Sequence, residues 1–377
     1  MPEYFGQPDF KHTEIPAVGV LVANLGTPDA ADTPALRRYL GEFLWDPRVI
    51  EMSRPLWWLI LHLAILPFRP KKSAELYQKV WTPEGSPLLI ISRRQAAALE
   101  AILKAELGTP VHVALGMRYG NPSMRSALRE LAEKGCRRIL LLPLYPQYAA
   151  VTSGSTFDAL ATEVTAWRWV PEMRIVQHYH DEPGYIRSLA ASIREAWADG
   201  SQADKLLFSF HGIPQRYFEA GDPYFCHCHK TARLVAEELG LPRDRYEVSF
   251  QSLFGKEEWL KPYTDKTMQG MAKSGVRSLD VICPGFSADC LETIEEIDGQ
   301  NREIFLHAGG ERYRYIPALN DRPDHMRFLA DLAIRNLQGW VEPAGAWDGE
   351  RARREAEASA QRAEARKAAP VGAGGAY

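Results

Sequence analysis

The sequence predicts an α/β fold with two Rossmann-like domains, each a parallel sheet flanked by helices. Short apolar segments that suit buried parallel strands alternate with amphipathic helical segments along most of the chain. The alternation begins again after about residue 172, and 377 residues are enough for two cores of ordinary size. We expect an N-terminal domain at 1–172, a C-terminal domain at 173–342, and a charged, Ala-rich tail at 343–377 that is a frayed helix or disordered.

The N-terminal half opens with a buried strand over Val18–Asn24 and a Gly-containing turn. Because that turn has no G-x-G-x-x-G pattern, we do not expect a dinucleotide site, which disfavours a Rossmann-type nucleotide enzyme. Six further segments continue the alternation, as helices over Thr33–Phe43, Ser92–Leu107, Ser123–Lys134 and Asp158–Thr165 and as strands over Val111–Leu115 and Arg138–Leu144.

Residues 53–83 differ from the rest of this half because they are aromatic, apolar and interrupted by prolines. Trp57, Trp58 and Trp81 have two interpretations, as part of a core or as an apolar lip around a large, flat ligand. The most hydrophobic run, Leu56–Phe68, is well short of the roughly 20 residues needed to span a bilayer. We therefore expect a peripheral membrane contact at most.

The C-terminal half repeats the alternation and ends with an amphipathic helix over Asp324–Leu337, which is expected to pack on either domain. The predicted strands are Arg174–Tyr179, Lys205–Phe210, Tyr246–Gln251 and Ser278–Cys283, and the predicted helices are Pro183–Trp197, Cys228–Leu239 and Asp265–Ser274.

Composition narrows the class of partner. The net charge is only -3 and the basic residues form no long block, so no nucleic-acid partner is expected and a small molecule is favoured. The first 16 residues lack the features of a signal peptide, and five scattered cysteines do not form a disulfide framework. We expect a cytoplasmic protein, with peripheral contact at the inner membrane as the alternative.

The first candidate for chemistry is His211, in the stretch LLFSFHGIP from Leu206 to Pro214. An apolar strand runs directly into His211 and Gly212, which places an imidazole at the carboxyl end of a strand, where open α/β sheets bind ligands. The alternative is a structural histidine whose hydrogen bonds are satisfied within the protein.

The second candidate is the acidic segment Cys283–Ile297, reading CPGFSADCLETIEEI. Glu292 and Glu296 are four residues apart and would share one face of a helix, so both carboxylates could line the crevice that His211 enters. The alternative for Asp289 and Glu292 is a capping box, in which the spacing serves only to begin the helix.

The third candidate is Asp222–Lys230, with two cysteines and two histidines in four residues. The C-x-C spacing of Cys226 and Cys228 does not match a closed zinc site, and no second cysteine pair lies at a suitable distance. A helix entry capped by Asp222 or a neighbour is the favoured interpretation, and a zinc or iron-sulfur site is the alternative.

Six motifs in this order resemble the ferrochelatases, enzymes that insert ferrous iron into a porphyrin in haem synthesis. The resemblance runs from about Val18 to Leu337 and implies two Rossmann-like domains with the porphyrin in the cleft between them. The motifs are NLGTP at Asn24, LGMRYGNP at Leu115, LYPQY at Leu144, SFHGIP at Ser209, SFQSLFG at Ser249 and CPGFSADCLETIEEI at Cys283.

The resemblance also implies roles for individual residues. His211 matches the essential histidine, proposed either to accept pyrrole protons or to bind the metal, and Glu292 and Glu296 match an acidic path that leads to it, with Glu292 also a metal ligand. The other matched residues are expected to bind substrate: Leu25 faces the macrocycle, Lys79 replaces an arginine that holds a propionate, Arg118 and Tyr119 lie on the opposite wall near the route of the metal, and Tyr145 and Trp259 belong to matching motifs.

Departures from the family concern its iron-sulfur cluster and its acidic path. The tail lacks the cysteines that hold a [2Fe-2S] cluster in the animal enzymes, so no cofactor is expected beyond Fe²⁺ as a substrate, with a cluster on Cys226 and Cys228 as the alternative. Gln300 stands where some relatives have a third carboxylate, and Cys290 where the animal enzymes have histidine.

The expected substrate is protoporphyrin IX. Coproporphyrin III, or a porphyrin or haem carrier without chemistry, is the alternative, and the oligomeric state stays open.

Overall fold

Two four-stranded parallel sheets form the framework of the protein. The computed structural model describes residues 4–7, 11, 13–253, 255 and 257–368. The first sheet has the order β2-β1-β3-β4 and the second the order β6-β5-β7-β8, so a central strand in each half has neighbours on both sides. The strands are β1 Ala17–Thr27, β2 Val111–Gly120, β3 Cys136–Pro143, β4 Glu172–Ile175, β5 Lys205–His211, β6 Tyr246–Gln251, β7 Ser278–Ile282 and β8 Arg312–Ile316.

Helices connect the strands and cover both sheets, as parallel pairing requires. Three segments are π-helical, at Leu61–Ile65, Ala150–Gly154 and Glu292–Asn301. The α-helices are α1 Thr33–Trp45, α2 Arg54–Ile60, α3 Arg69–Val80, α4 Pro87–Glu106, α5 Met124–Glu133, α6 Ser155–Val164, α7 Pro183–Ala196, α8 Gln215–Glu219, α9 Tyr224–Leu239, α10 Thr264–Lys273, α11 Arg302–His307, α12 Pro323–Asn336 and α13 Gly349–Ala368.

The strands are buried because helices pack on both faces of each sheet. In β1 every residue except Leu25 is buried, and β5 is buried from Leu206 to Phe210. A large hydrophobic cluster includes residues of β1, α4, β5 and α9 and therefore continues from one sheet to the other. The sequence prediction of two parallel sheets flanked by helices is confirmed.

One strand was assigned to the wrong half. The expected strand Arg174–Tyr179 is observed as β4 at Glu172–Ile175, and it pairs with β3 as the edge of the first sheet. The division of the chain at 172 and 173 stays a prediction, and this pairing favours a boundary after Ile175. Helix α12, which corresponds to the expected helix Asp324–Leu337, contacts both α4 and α7, so it joins the two halves rather than belonging to one of them.

Residues 53–83 combine the two interpretations that the sequence left open. Trp57 is 4% exposed, and its indole nitrogen donates a hydrogen bond to the Leu44 carbonyl over 2.7 Å, which makes it a core residue. Trp58 is 48% exposed, in a surface strip that also contains Leu56, Leu59, Leu63 and Phe68. We call this strip the apolar lip. Among the described residues, no helix has the length and hydrophobicity to cross a membrane.

The tail is helical over Gly349–Ala368, where Arg351 and Glu355 form an ion pair one turn apart. The expectation of a frayed or disordered tail also covered residues 369–377, which lie outside the described residues, as do parts of the N-terminal segment that was judged not to be a signal peptide.

Candidate functional site

A cleft with about 810 Å³ of empty space, part of it open to solvent, lies between the two sheets. Its walls come from the carboxyl ends of strands in both halves: Leu25 near the end of β1, Tyr145 after β3, His211 at the end of β5 and Phe286 after β7. This is the edge at which open α/β sheets bind ligands. The cleft therefore brings together four segments that are far apart in the sequence.

His211 lines this cleft, and one of its ring nitrogens already forms a hydrogen bond within the protein. Its Nδ1 lies 2.6 Å from the carbonyl oxygen of Gly212, and because a carbonyl only accepts, Nδ1 must donate. In the neutral ring Nε2 is then the unprotonated atom. A side chain at position 212 would be crowded, since an added Cβ would lie 3.0 Å from the Gln251 carbonyl oxygen and 3.1 Å from the Trp259 ring. The turn thus fixes both the tautomer and the orientation of the imidazole.

The π-helix Glu292–Asn301 carries the acidic groups, and a π-helical turn of this kind is typical of functional sites. Glu292 lines the cleft at the start of this helix together with Cys290 and Leu291. Among the described residues, its carboxylate has no ion pair, and the Cys290 thiol is a hydrogen-bonding neighbour. Burial and the Glu292 charge together raise the pKa of that thiol, so Cys290 is a neutral wall residue.

Glu296 lies behind Glu292, outside the set of residues that line the cleft. Its carboxylate accepts a hydrogen bond from the backbone nitrogen of Ser252 over 2.8 Å and a second, very short one from the Ser252 hydroxyl. Burial raises the pKa of Glu296, and the Glu292 charge adds to this, while the Ser252 hydrogen bonds and His211 oppose it. Glu296 is therefore electrostatically coupled to both His211 and Glu292.

The capping-box interpretation of Asp289 is wrong. Its carboxylate accepts hydrogen bonds from the Thr293 hydroxyl, the Tyr315 hydroxyl and the Asn320 side chain, at 2.7 to 3.0 Å, rather than from the first amides of the helix. Asp289 thus connects the helix to the loop after β8. Capping accounts for neither glutamate.

The family model named Ferrochelatase matches residues 17–337. The chain is 57% identical over 358 residues to the ferrochelatase of Thioalkalivibrio sulfidiphilus, covering 95% of this chain and 97% of that protein. The chain belongs to the ferrochelatase family. It is 57% identical over 347 residues to the ferrochelatase of Hydrogenovibrio crunogenus, covering 91% and 92%. As a member of this family it is a metal-inserting lyase.

A solved structure supports the fold of this ferrochelatase independently. SirB from Bacillus subtilis, solved with Fe³⁺, aligns with a TM-score of 0.51 over 86% of this chain and 97% of SirB. Because the two sequences are only 11% identical, this likeness concerns the fold alone. It agrees with the two parallel sheets flanked by helices.

Arg118 and Tyr119 do not line the ferrochelatase cleft in this structure. Both bond to Asp46, which the sequence analysis missed: the Tyr119 hydroxyl donates to its carboxylate over 2.8 Å, and Arg118 forms an ion pair with the same oxygen. Burial alone would raise the pKa of Asp46, but hydrogen bonds from Ser155, the Arg48 amide and Tyr119, with the Arg118 charge, lower it. The group is a buried network beside the cleft.

Lys79 also already has a partner within the protein. Its ammonium group lies 2.7 Å from the Glu295 carboxylate, and the pair connects α3 of the first half to the π-helix of the second. Gln300, which replaces a third acidic residue of some relatives, donates to the other oxygen of Glu295 over 2.6 Å. The Lys79 side chain is 61% exposed and its ammonium group has three N–H donors, so it has donors left for a propionate.

The remaining predicted residues divide between the cleft and its support. Leu25 and Tyr145 line the cleft, whereas Trp259 is 9% exposed and lies behind His211, with 6.4 Å between the two ring centroids. Tyr39 and Tyr77 also line the cleft near Glu292 but belong to none of the quoted motifs. Burial raises the pKa of both phenols well above the ordinary value, so both remain protonated donors.

Cys226 and Cys228 do not share a face of α9. Cys226 is exposed, whereas Cys228 is fully buried, and burial raises the pKa of its thiol well above the ordinary value. The helix begins at Tyr224, four residues before its expected start, and Asp222 accepts a hydrogen bond from the Tyr224 amide over 3.0 Å. This arrangement favours the interpretation as a helix entry.

Proposed function

We propose that the protein inserts Fe²⁺ into protoporphyrin IX to give protohaem, with release of two protons, as the terminal step of haem biosynthesis. The observation that carries this proposal is the convergence of His211 and Glu292 on one apolar cleft between the two sheets. A flat macrocycle needs such a cleft, and metal insertion needs a proton acceptor and a negative charge at its centre. Fe²⁺ is a substrate here, and the reaction requires no resident cofactor.

His211 is the proposed proton acceptor for the pyrrole N–H groups. Its Nδ1 donates to the Gly212 carbonyl, which leaves the Nε2 lone pair for a substrate proton or for the metal. Both roles require the neutral ring. His211 can act first as proton acceptor and then as metal ligand if the proton leaves before the metal binds. The turn at Gly212 stabilises this tautomer before substrate arrives, so no reorganisation of the ring is needed.

Glu292 and Glu296 are proposed to carry protons from His211 and to attract the cation. Glu292 lines the cleft, and Glu296 interacts electrostatically with both His211 and Glu292. A raised pKa suits a relay group because it brings proton uptake and release closer to neutral pH. Two negative charges near His211 would also favour the transfer of a divalent ion from bulk water into the cleft.

Protoporphyrin IX is favoured over coproporphyrin III by the charge of the cleft. None of the described residues that line it is lysine or arginine. A porphyrin with two propionates can keep both outside the cleft in solvent, whereas one with four must place anionic groups along more of its edge. Coproporphyrin III remains the alternative substrate.

The test is anaerobic conversion of both porphyrins with Fe²⁺, followed by absorbance. We expect faster metallation of protoporphyrin IX, and a loss of at least 10²-fold in His211→Ala with porphyrin binding retained, as is typical for removal of an acid-base group. A faster reaction with coproporphyrin III would reverse the substrate assignment. Binding without conversion in the wild-type protein would instead identify a carrier.

The apolar lip is proposed as a peripheral membrane contact for this cytoplasmic enzyme. Leu56, Trp58, Leu63 and Phe68 are between 48% and 75% exposed and lie on α2, on the π-helix that follows it and, for Phe68, in the turn before α3. Such a strip is larger than single scattered apolar residues, and it lies next to the half of the cleft formed by α1 and α3. Co-sedimentation with lipid vesicles should fall in Trp58→Ser/Phe68→Ser relative to the wild type, and equal co-sedimentation would remove the proposal.

A further inference from the structure

A cluster of three histidines and an aspartate lies outside the cleft. His178, His180 and Asp181 belong to the loop between β4 and α7, and His227 lies in the first turns of α9. One ligand atom from each of His178, His180 and Asp181 lies within 4.8 Å of the other two. None of the four residues lines the cleft, so the proposed insertion reaction does not use them.

One atom in this cluster lacks a hydrogen-bond partner among the described residues. His180 is only 3% exposed, and its Nδ1 is buried without a hydrogen bond, 3.7 Å from the nearer carboxylate oxygen of Asp181. A buried ring nitrogen without a partner is costly in a folded protein unless something absent from the structure satisfies it. Its position beside a carboxylate and a second imidazole indicates a cation.

We propose that His178, His180 and Asp181 form a second site for a divalent transition-metal ion of the Zn²⁺ and Fe²⁺ class. Two imidazole nitrogens and one carboxylate oxygen form a donor set that suits these borderline ions and disfavours Mg²⁺ and Ca²⁺, which prefer oxygen ligands. Three protein ligands leave at least one position for water. Tetrahedral ligands stand about 3.4 Å apart, so the side chains would close by roughly an ångström on binding.

A second imidazole supports the cluster from α9. His180 and His227 stack with 3.6 Å between ring centroids. The His227 Nδ1 accepts a hydrogen bond from the Tyr148 amide over 3.2 Å, so His227 supports the stack rather than supplying a ligand.

The site is also held in place and open to solvent. The Thr231 hydroxyl lies 2.8 Å from the His180 carbonyl and 3.0 Å from the His227 carbonyl, which connects the loop to α9. Lys230 binds one oxygen of Asp181 over 2.5 Å and leaves the other facing His180. His178 is exposed and lines a separate open depression, which gives an ion a route of entry.

The experiment uses the untagged, metal-free full chain titrated with Zn²⁺, and with Co²⁺ for its visible absorption. Bound equivalents are counted by equilibrium dialysis in the wild type, His178→Ala, Asp181→Asn and the control His112→Ala. His112 is a suitable control because it is a partly exposed histidine near a single carboxylate, Glu100, with 3.8 Å between them. Circular dichroism verifies that each variant is folded.

We expect the wild type and His112→Ala to bind one equivalent more than His178→Ala and Asp181→Asn, or to bind it at least tenfold more tightly. Because the cleft is intact in all four proteins, any ion that it binds cancels in the comparison. Removal of the competing ammonium group in Lys230→Gln should tighten binding. Equal stoichiometry and affinity in wild type and His178→Ala, whose exposed side chain is safe to remove, would overturn the proposal.

Discussion

Asp46→Asn tests whether Arg118 and Tyr119 act through a buried network rather than on the metal. The side chains of Arg118 and Asp46 are only 16% and 2% exposed, and Tyr119 donates to the same carboxylate oxygen. Loss of one partner of such a buried pair typically costs about 3–5 kcal/mol, because the other charge stays uncompensated. For a domain of about 170 residues this corresponds to a Tm lower by about 10 °C.

The matched control is Asp158→Asn, which removes the partner of Arg48. The side chains of that pair are 36% and 40% exposed, and such exposed pairs contribute about 0–1 kcal/mol to the free energy of unfolding. Thermal unfolding followed by circular dichroism and iron insertion would be measured on both variants. If Asp46→Asn lost turnover by a large factor while its Tm stayed with that of the control, the network would act on the chemistry and our structural interpretation would be refuted.

Three further perturbations have clear expectations. Glu292→Gln should lose roughly 10²-fold in turnover and Glu296→Gln about tenfold, because Glu292 lines the cleft; loss of stability with retained turnover in both would contradict the relay. Lys79→Met should raise KM for the porphyrin with kcat unchanged, and unchanged kinetics would leave Lys79 only its ion pair with Glu295. Burial lowers the pKa of His325 to about 4 from 6.5. The contribution of this neutral ring to the free energy of unfolding is therefore complete above pH 6.5, and it falls by up to about 3 kcal/mol as the pH drops towards 4. Urea unfolding of His325→Leu should show a smaller change of the free energy of unfolding with pH over that range.

Local sequence patterns predicted seven of the eight strands of the described residues and the position of His211, but they missed β8. An apolar run followed by His-Gly predicts a buried parallel strand that ends in a turn, and β5 does end at His211. The partner of a strand is a different matter, because pairing depends on contacts that are distant in the sequence. β4 was therefore found as a strand but assigned to the wrong sheet.

The supporting residues of the site could not be predicted for the same reason. Asp46 lies 72 residues from Arg118, and no local pattern marks it as the partner of an arginine in β2. Asp289 has the spacing of a capping residue, yet its carboxylate bonds to Tyr315 and Asn320, which lie 26 and 31 residues away. A spacing rule gives the residue type that a position needs, whereas the fold decides which partner satisfies it.

The three glutamates of the π-helix have different partners, and the partner determines what each side chain can do. Glu295 is bound to Lys79 of the opposite half, and Glu296 is held by both donors of Ser252, a residue with a left-handed φ of 65°. Glu292 has no such partner among the described residues and faces the cleft. A carboxylate that already accepts two hydrogen bonds has fewer lone pairs free to bind a cation directly, although its charge still attracts a cation at a distance. Of the three, Glu292 is therefore the glutamate that lines the cleft, whereas Glu295 joins α3 to the π-helix.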